Sequence, residues 1–176
     1  MKFLAGDFYK KSLASPPIFF QSETMTPPSV HETAGQIAML SHELPWVGRL
    51  LYGVLEKAIL ALRSGRAPRT LGLAAMIVEG EGLRQSLAEI IAETQDAGGR
   101  FDDQTREMAD EALAEQQQLL ERELTFWKNF SDQAQNFLRR LALLADQEKP
   151  SSLALNSLND AWEEIERLSL GSAPIR

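Results

Sequence analysis

The stretch Asp102–Lys149, DDQTREMADEALAEQQQLLERELTFWKNFSDQAQNFLRRLALLADQEK, decides the fold class. It contains neither Gly nor Pro and is rich in Ala, Glu, Gln, Leu and Arg, all strong helix formers. Asp102 and Asp103 suit the positive end of a helix dipole, and Pro150 marks a stop. A continuous helix over these residues would reach roughly 72 Å at 1.5 Å per residue. Asn129-Phe130-Ser131-Asp132 is where it would break into two. Leu113, Leu120, Leu124, Trp127, Ala134, Leu138, Leu141 and Ala145 fit alternating three- and four-residue steps, with Gln117 and Ser131 at the two remaining stripe positions. A flank of Leu119, Phe126, Phe130, Phe137 and Leu144 widens that stripe beyond a two-stranded coiled-coil seam, which predicts a helix packed in a bundle.

The same periodicity runs outward in both directions. Ile37, Leu40, Leu44, Val47, Leu51, Val54, Leu55, Ala58 and Leu62 form one apolar stripe, with Pro45 expected to kink it or to start a new helix near Leu44. Ser64-Gly65-Arg66-Ala67-Pro68 is a stop. A second helical stretch covers about 70–97, divided by Gly80 and Gly82 and ended by Gly98-Gly99. A last helix is expected from about Ser152 to Leu170, with Gly171 as its cap. The predicted architecture is all-α: an antiparallel bundle of four to six helices over residues 34–176. In front of it stands an irregular arm, residues 1–33, containing Pro16-Pro17 and Pro27-Pro28. Trp46, Trp127 and Trp162 sit on or beside the stripes and read as packing residues.

Composition narrows the chemistry. The 176 residues include no cysteine, which removes thiolate metal sites and cysteine nucleophiles, and only two histidines, His31 and His42, which removes a histidine-rich metal site. No Glu or Asp is followed by His at the third position, so a dinuclear carboxylate centre of the Glu-x-x-His kind is excluded. Phosphate-loop and Gly-x-Ser-x-Gly patterns are absent. The chain therefore reads as non-enzymatic, with no cofactor and no metal. No run approaches the roughly 18 apolar residues of a membrane-spanning helix and no leader pattern is seen, so cytoplasmic residence is the expectation.

Net charge is −7, and its placement matters more than its size. Residues 71–125 carry −9 between stretches of +4 (46–70) and +1 (126–149), with Glu107, Asp110, Glu111 and Glu115 on one solvated helical face. Arg63, Arg66 and Arg69 cluster around Gly65 and Pro68 and are candidates for phosphate contact, although helix C-terminal charge explains Arg63 and Arg66 as well.

Ser41-His42-Glu43-Leu44, preceded by Ile37, Met39 and Leu40, resembles the phosphoacceptor box of sensor histidine kinases. The resemblance implies phosphotransfer through His42, with Glu43 orienting the imidazole. That family's box carries Pro further along, whereas Pro45 here follows Leu44 directly and Val47 stands at the usual Pro position.

The reading these residues favour is a helical protein-interaction module, a small subunit or adaptor of a larger assembly that binds a protein partner or itself. Its candidate anchors are Phe3, Phe8, Tyr9, Phe19 and Phe20 on the arm and Phe126, Phe130 and Phe137 on the long helix. The alternatives are a phosphotransfer domain using His42 and an acidic helical subunit of a nucleoprotein complex touching phosphate through residues 63–69.

Overall fold

Ser29 opens the first helix with a reciprocal cap: its hydroxyl accepts the Glu32 amide, and the Glu32 carboxylate accepts the Ser29 amide at 2.7 Å. In the computed structural model, which describes residues 26–108 and 110–171, four α-helices follow: α1 (Val30–Arg63), α2 (Leu73–Thr105), α3 (Glu111–Ala145) and α4 (Ser152–Gly171). A short 3-10 turn, Pro68–Thr70, precedes α2, and Gly65 and Gly72 supply the two left-handed backbone positions of that connection (φ +75° and +66°). The described residues contain no strand, so the all-α class stands. The boundary expected after residue 33 moves: Val30 to Thr33 already belong to α1 because Ser29 caps the helix there. Residues 1–25 of the arm lie outside the described residues.

Four interruptions read from the sequence, at Pro45, Gly80 and Gly82, Gly98-Gly99 and residues 129–132, do not end a helix. Pro45 cannot donate to the Ser41 carbonyl, at a cost of about 3 kcal/mol in a helix interior. Leu44, Val47 and Leu51 are buried on either side of it, and α1 runs through. Gly80, Gly82, Gly98 and Gly99 all lie inside α2. Each costs roughly 1 kcal/mol relative to Ala. Ala97, Phe101 and Thr105 nevertheless continue the buried stripe, so the helix extends past the glycine pair. In α3, Phe130 and Ser131 are buried and the helix is intact across 129–132.

The long helix expected over 102–149 is corrected in the opposite sense. Asp102 to Thr105 finish α2, and a new helix starts at Glu111. Asp110 makes the break: its carboxylate accepts the Ala112 amide at 2.9 Å, the local bond with which Asp opens a helix rather than continuing one.

Residues distant in sequence meet in reverse order, which sets the topology. Arg100 near the end of α2 donates to Gln36 near the start of α1. Thr105 meets Gln117 and Gly80 meets Leu138, so α2 and α3 are antiparallel. Phe137 packs on Trp162 and Arg140 donates to Ser157, so α3 and α4 are antiparallel as well. Tyr52 of α1 lies 5.4 Å from Trp162, ring centre to ring centre, which brings α4 back against α1.

Trp127, Trp162, Phe130 and Phe137 fill the core between Leu44, Leu51 and Leu55 of α1 and Leu138 and Leu141 of α3. Trp46 is a correction: it does not pack, and 63% of its surface is exposed. At 20 residues α4 is much shorter than α1 (34), α2 (33) and α3 (35). It lies beside Tyr52 and, further along α1, beside Ile59, Leu62 and Arg63. Toward the start of α1, no helix covers the seam between α1 and α3 among the described residues.

Candidate interaction surfaces

The seam between α1 and α3 holds a groove with a cavity volume of about 280 Å³, and no α4 residue lines it. Ile37 and Ala38 of α1 form one wall, Leu119 and Leu120 of α3 the other, and Phe101 of α2 lies behind them. Leu119 is 56% exposed, a high value for a leucine facing a concave apolar surface. Glu123 closes one end of the groove opposite Ser41. Burial pushes its carboxyl above the ordinary glutamate value, against the Ser41 hydroxyl, which lowers it. Trp127 Nε1 is itself buried with no acceptor in hydrogen-bonding geometry.

The rim is acidic. Residues 93–123 contain ten carboxylates against Arg100, Arg106 and Arg122. Two of those arginines are already paired, Arg100 with Asp96 and Arg106 with Asp103. Asp102, Glu121 and Glu123 border the groove and the neighbouring hollow. The other end of the groove lies near the point where the chain enters α1, because Gln104 Nε2 donates to the Pro28 carbonyl at 2.7 Å.

A second surface lies on the outside of α1. Met39, Trp46, Leu50 and Leu60 are all exposed there, on the side turned away from the core. Between Leu50 and Gly53 of α1 and Glu79 and Leu83 of α2 sits a hollow of about 250 Å³. The sequence carried a signal for this face: positions 39, 43, 46, 50, 53, 57 and 60 keep alternating four- and three-residue steps, offset from the core stripe.

The expected site residues are not brought together. Phe130 and Phe137 are fully buried and Phe126 is half-buried against Trp127 and Phe130, so these three do not form an apolar surface. The wide face of α3 is used inside the fold, against α1, α2 and α4 at once. Phe3, Phe8, Tyr9, Phe19 and Phe20 lie outside the described residues. His42 and Glu43 are exposed on α1. Arg63 and Arg66 are exposed at the end of α1 and the loop after it. Arg69 is paired with Glu148 at 2.8 Å, and its amide donates to the Gln147 carbonyl, which ties the loop to the end of α3. Among the described residues, no three His, Asp or Glu side chains are grouped so as to hold a metal ion, and no helix is long and apolar enough to cross a membrane.

No protein-family model matches the chain, and no characterised protein or solved structure is significantly similar to it.

Proposed function

We propose that this protein is a non-enzymatic helical interaction module, a subunit or adaptor, and that the α1–α3 groove receives an apolar segment of a partner protein bearing Lys or Arg. The observation that carries the reading is the seam that no helix covers among the described residues: a largely apolar groove with the Glu123 carboxylate at one end. Ile37, Leu119 and Phe101 would supply the apolar contact. Glu123 at one end, with Asp102 and Glu121 at the neighbouring hollow, would select a basic segment and repel an acidic one.

Selection of a displayed random-peptide library on the full chain tests this. Enrichment of sequences combining two or more apolar residues with Lys or Arg, lost on Leu119→Lys, supports the groove. No enrichment, or enrichment that survives Leu119→Lys, refutes it.

A second reading rests on one observation, the exposure of His42 and Glu43 on α1. A phosphoacceptor must meet its donor, and an exposed imidazole beside a carboxylate can do so. Acid-labile phosphate on the wild type and none on His42→Ala would establish it. No labelling of the wild type by phosphorelay donors would dismiss it.

A further inference from the structure

The exposed row on α1, seven positions with Leu50 as the middle one, is its own complement when its order is reversed. Reversal sets Met39 opposite Leu60, apolar on apolar, and Glu43 opposite Lys57, acid on base. It sets Trp46, the largest side chain of the row, opposite Gly53, the smallest, and Leu50 opposite itself. All of these except Gly53 are exposed, and a Cβ built on Gly53 meets nothing within 4 Å, so its position offers open space. The hollow of about 250 Å³ lies at Gly53, bounded by Leu50, Val54 and Leu83 and by the charged Arg49, Lys57 and Glu79. Alternating four- and three-residue steps are the spacing at which one helix keeps a single face toward another.

We propose that two copies of the chain pair through this face as an antiparallel, two-fold α1–α1 dimer, with Trp46 of each copy seated over Gly53 of the other. A two-fold interface must be self-complementary, and this row meets that requirement pair by pair. Parallel pairing would set Glu43 on Glu43, Lys57 on Lys57 and Trp46 on Trp46, so charge and size both select the antiparallel register. An aromatic anchor entering a small-residue hollow at the centre of the contact is the arrangement that dominates binding energy at interfaces. The row uses a face of α1 other than the groove wall, so the dimer does not depend on the groove reading.

Because the chain has no cysteine, single cysteines report the register directly. In the dimer the two copies of Leu50→Cys face each other on the two-fold axis. Two copies of Met39→Cys stand about 32 Å apart at 1.5 Å per residue. Mild oxidation is expected to link Leu50→Cys into a disulfide dimer at least tenfold faster than Met39→Cys, while a mixture of Met39→Cys and Leu60→Cys gives mixed dimers. Equal linking of Leu50→Cys and Met39→Cys overturns the register, and no linking of Leu50→Cys overturns the dimer.

Sedimentation of the full chain provides the second reading, with all substitutions at exposed positions. The wild type is expected to be dimeric at micromolar concentration. Glu43→Lys or Lys57→Glu alone should raise the dimer Kd at least tenfold, and the double exchange Glu43→Lys with Lys57→Glu should restore it. A wild type that stays monomeric through the micromolar range, or single and double variants that behave alike, overturns the proposal.

Discussion

A Cβ placed on Gly48 would stand 2.1 Å from Cζ3 of Trp127, so α1 and α3 meet where a helix backbone lies directly against an indole. The contact holds the two helices close in the middle of the fold. Trp127 is fully buried there, on the helix that also forms one wall of the groove.

Gly48→Ala should therefore destabilise by about 1–3 kcal/mol, because the ring is enclosed and cannot yield. Gly82→Ala is the control: nothing lies within 4 Å of its Cβ, and replacing a helical glycine there should stabilise by about 0.5–1 kcal/mol. Gly80→Ala falls between them, since its nearest neighbour at 2.8 Å is the Cδ2 end of the Leu138 side chain. Urea midpoints for the three variants check the order.

The two exposed and buried indoles should behave in opposite ways. Trp162→Ala removes a side chain that fills the core against Tyr52 and Phe137 and should cost about 3–5 kcal/mol. Trp46→Ser removes a largely exposed one and should change monomer stability by no more than about 0.5 kcal/mol, while weakening self-association. Thermal unfolding at low protein concentration separates the two effects.

Glu123 gives a pH signature. Its carboxyl is held above the ordinary value near 4.5 by burial, so the folded chain favours the protonated form. A raised acid contributes stability at pH below the ordinary value, and that contribution is lost as pH rises through the folded value. Glu123→Gln stays neutral throughout. Its stability relative to the wild type should therefore improve between pH 4 and pH 7, read from urea unfolding at both. A difference that does not change with pH would mean that the groove end is well hydrated.

Ser29→Ala tests where the fold begins. Loss of the hydroxyl cap should cost about 0.5–2 kcal/mol and fray the first turn of α1, seen as faster amide exchange at Glu32 and Thr33. Unchanged exchange would place the start of the helix later in the chain.

Much of this fold was legible in residue spacing. The three-four stripes named the helices, and Pro150 with Gly171 bracketed the last one to within a residue. The misreadings share a cause. Gly98-Gly99 and Asn129 to Asp132 have the composition of stops, but Phe101 and Phe130 are buried beyond or within them, and tertiary burial outweighs local propensity. Asp110 ends a stretch with no glycine or proline because a carboxylate can open a new helix where none was expected. The groove was not legible at all. Among the described residues it is lined by α1, α2 and α3 and not by α4, which is a matter of helix order in space. Phe126, Phe130 and Phe137 looked like surplus apolar surface because α3 packs against three helices rather than one.

The claim that this protein works by binding a partner segment is tested most directly by calorimetric titration of a groove-selected peptide, apolar with Lys or Arg, into the full chain and into Leu119→Lys. Leu119 is exposed, so the substitution leaves the fold intact. The expected result is micromolar or tighter binding with a negative heat-capacity change, as apolar burial requires, weakened at least tenfold by Leu119→Lys. Equal affinity for both chains, or no heat-capacity change, would contradict it.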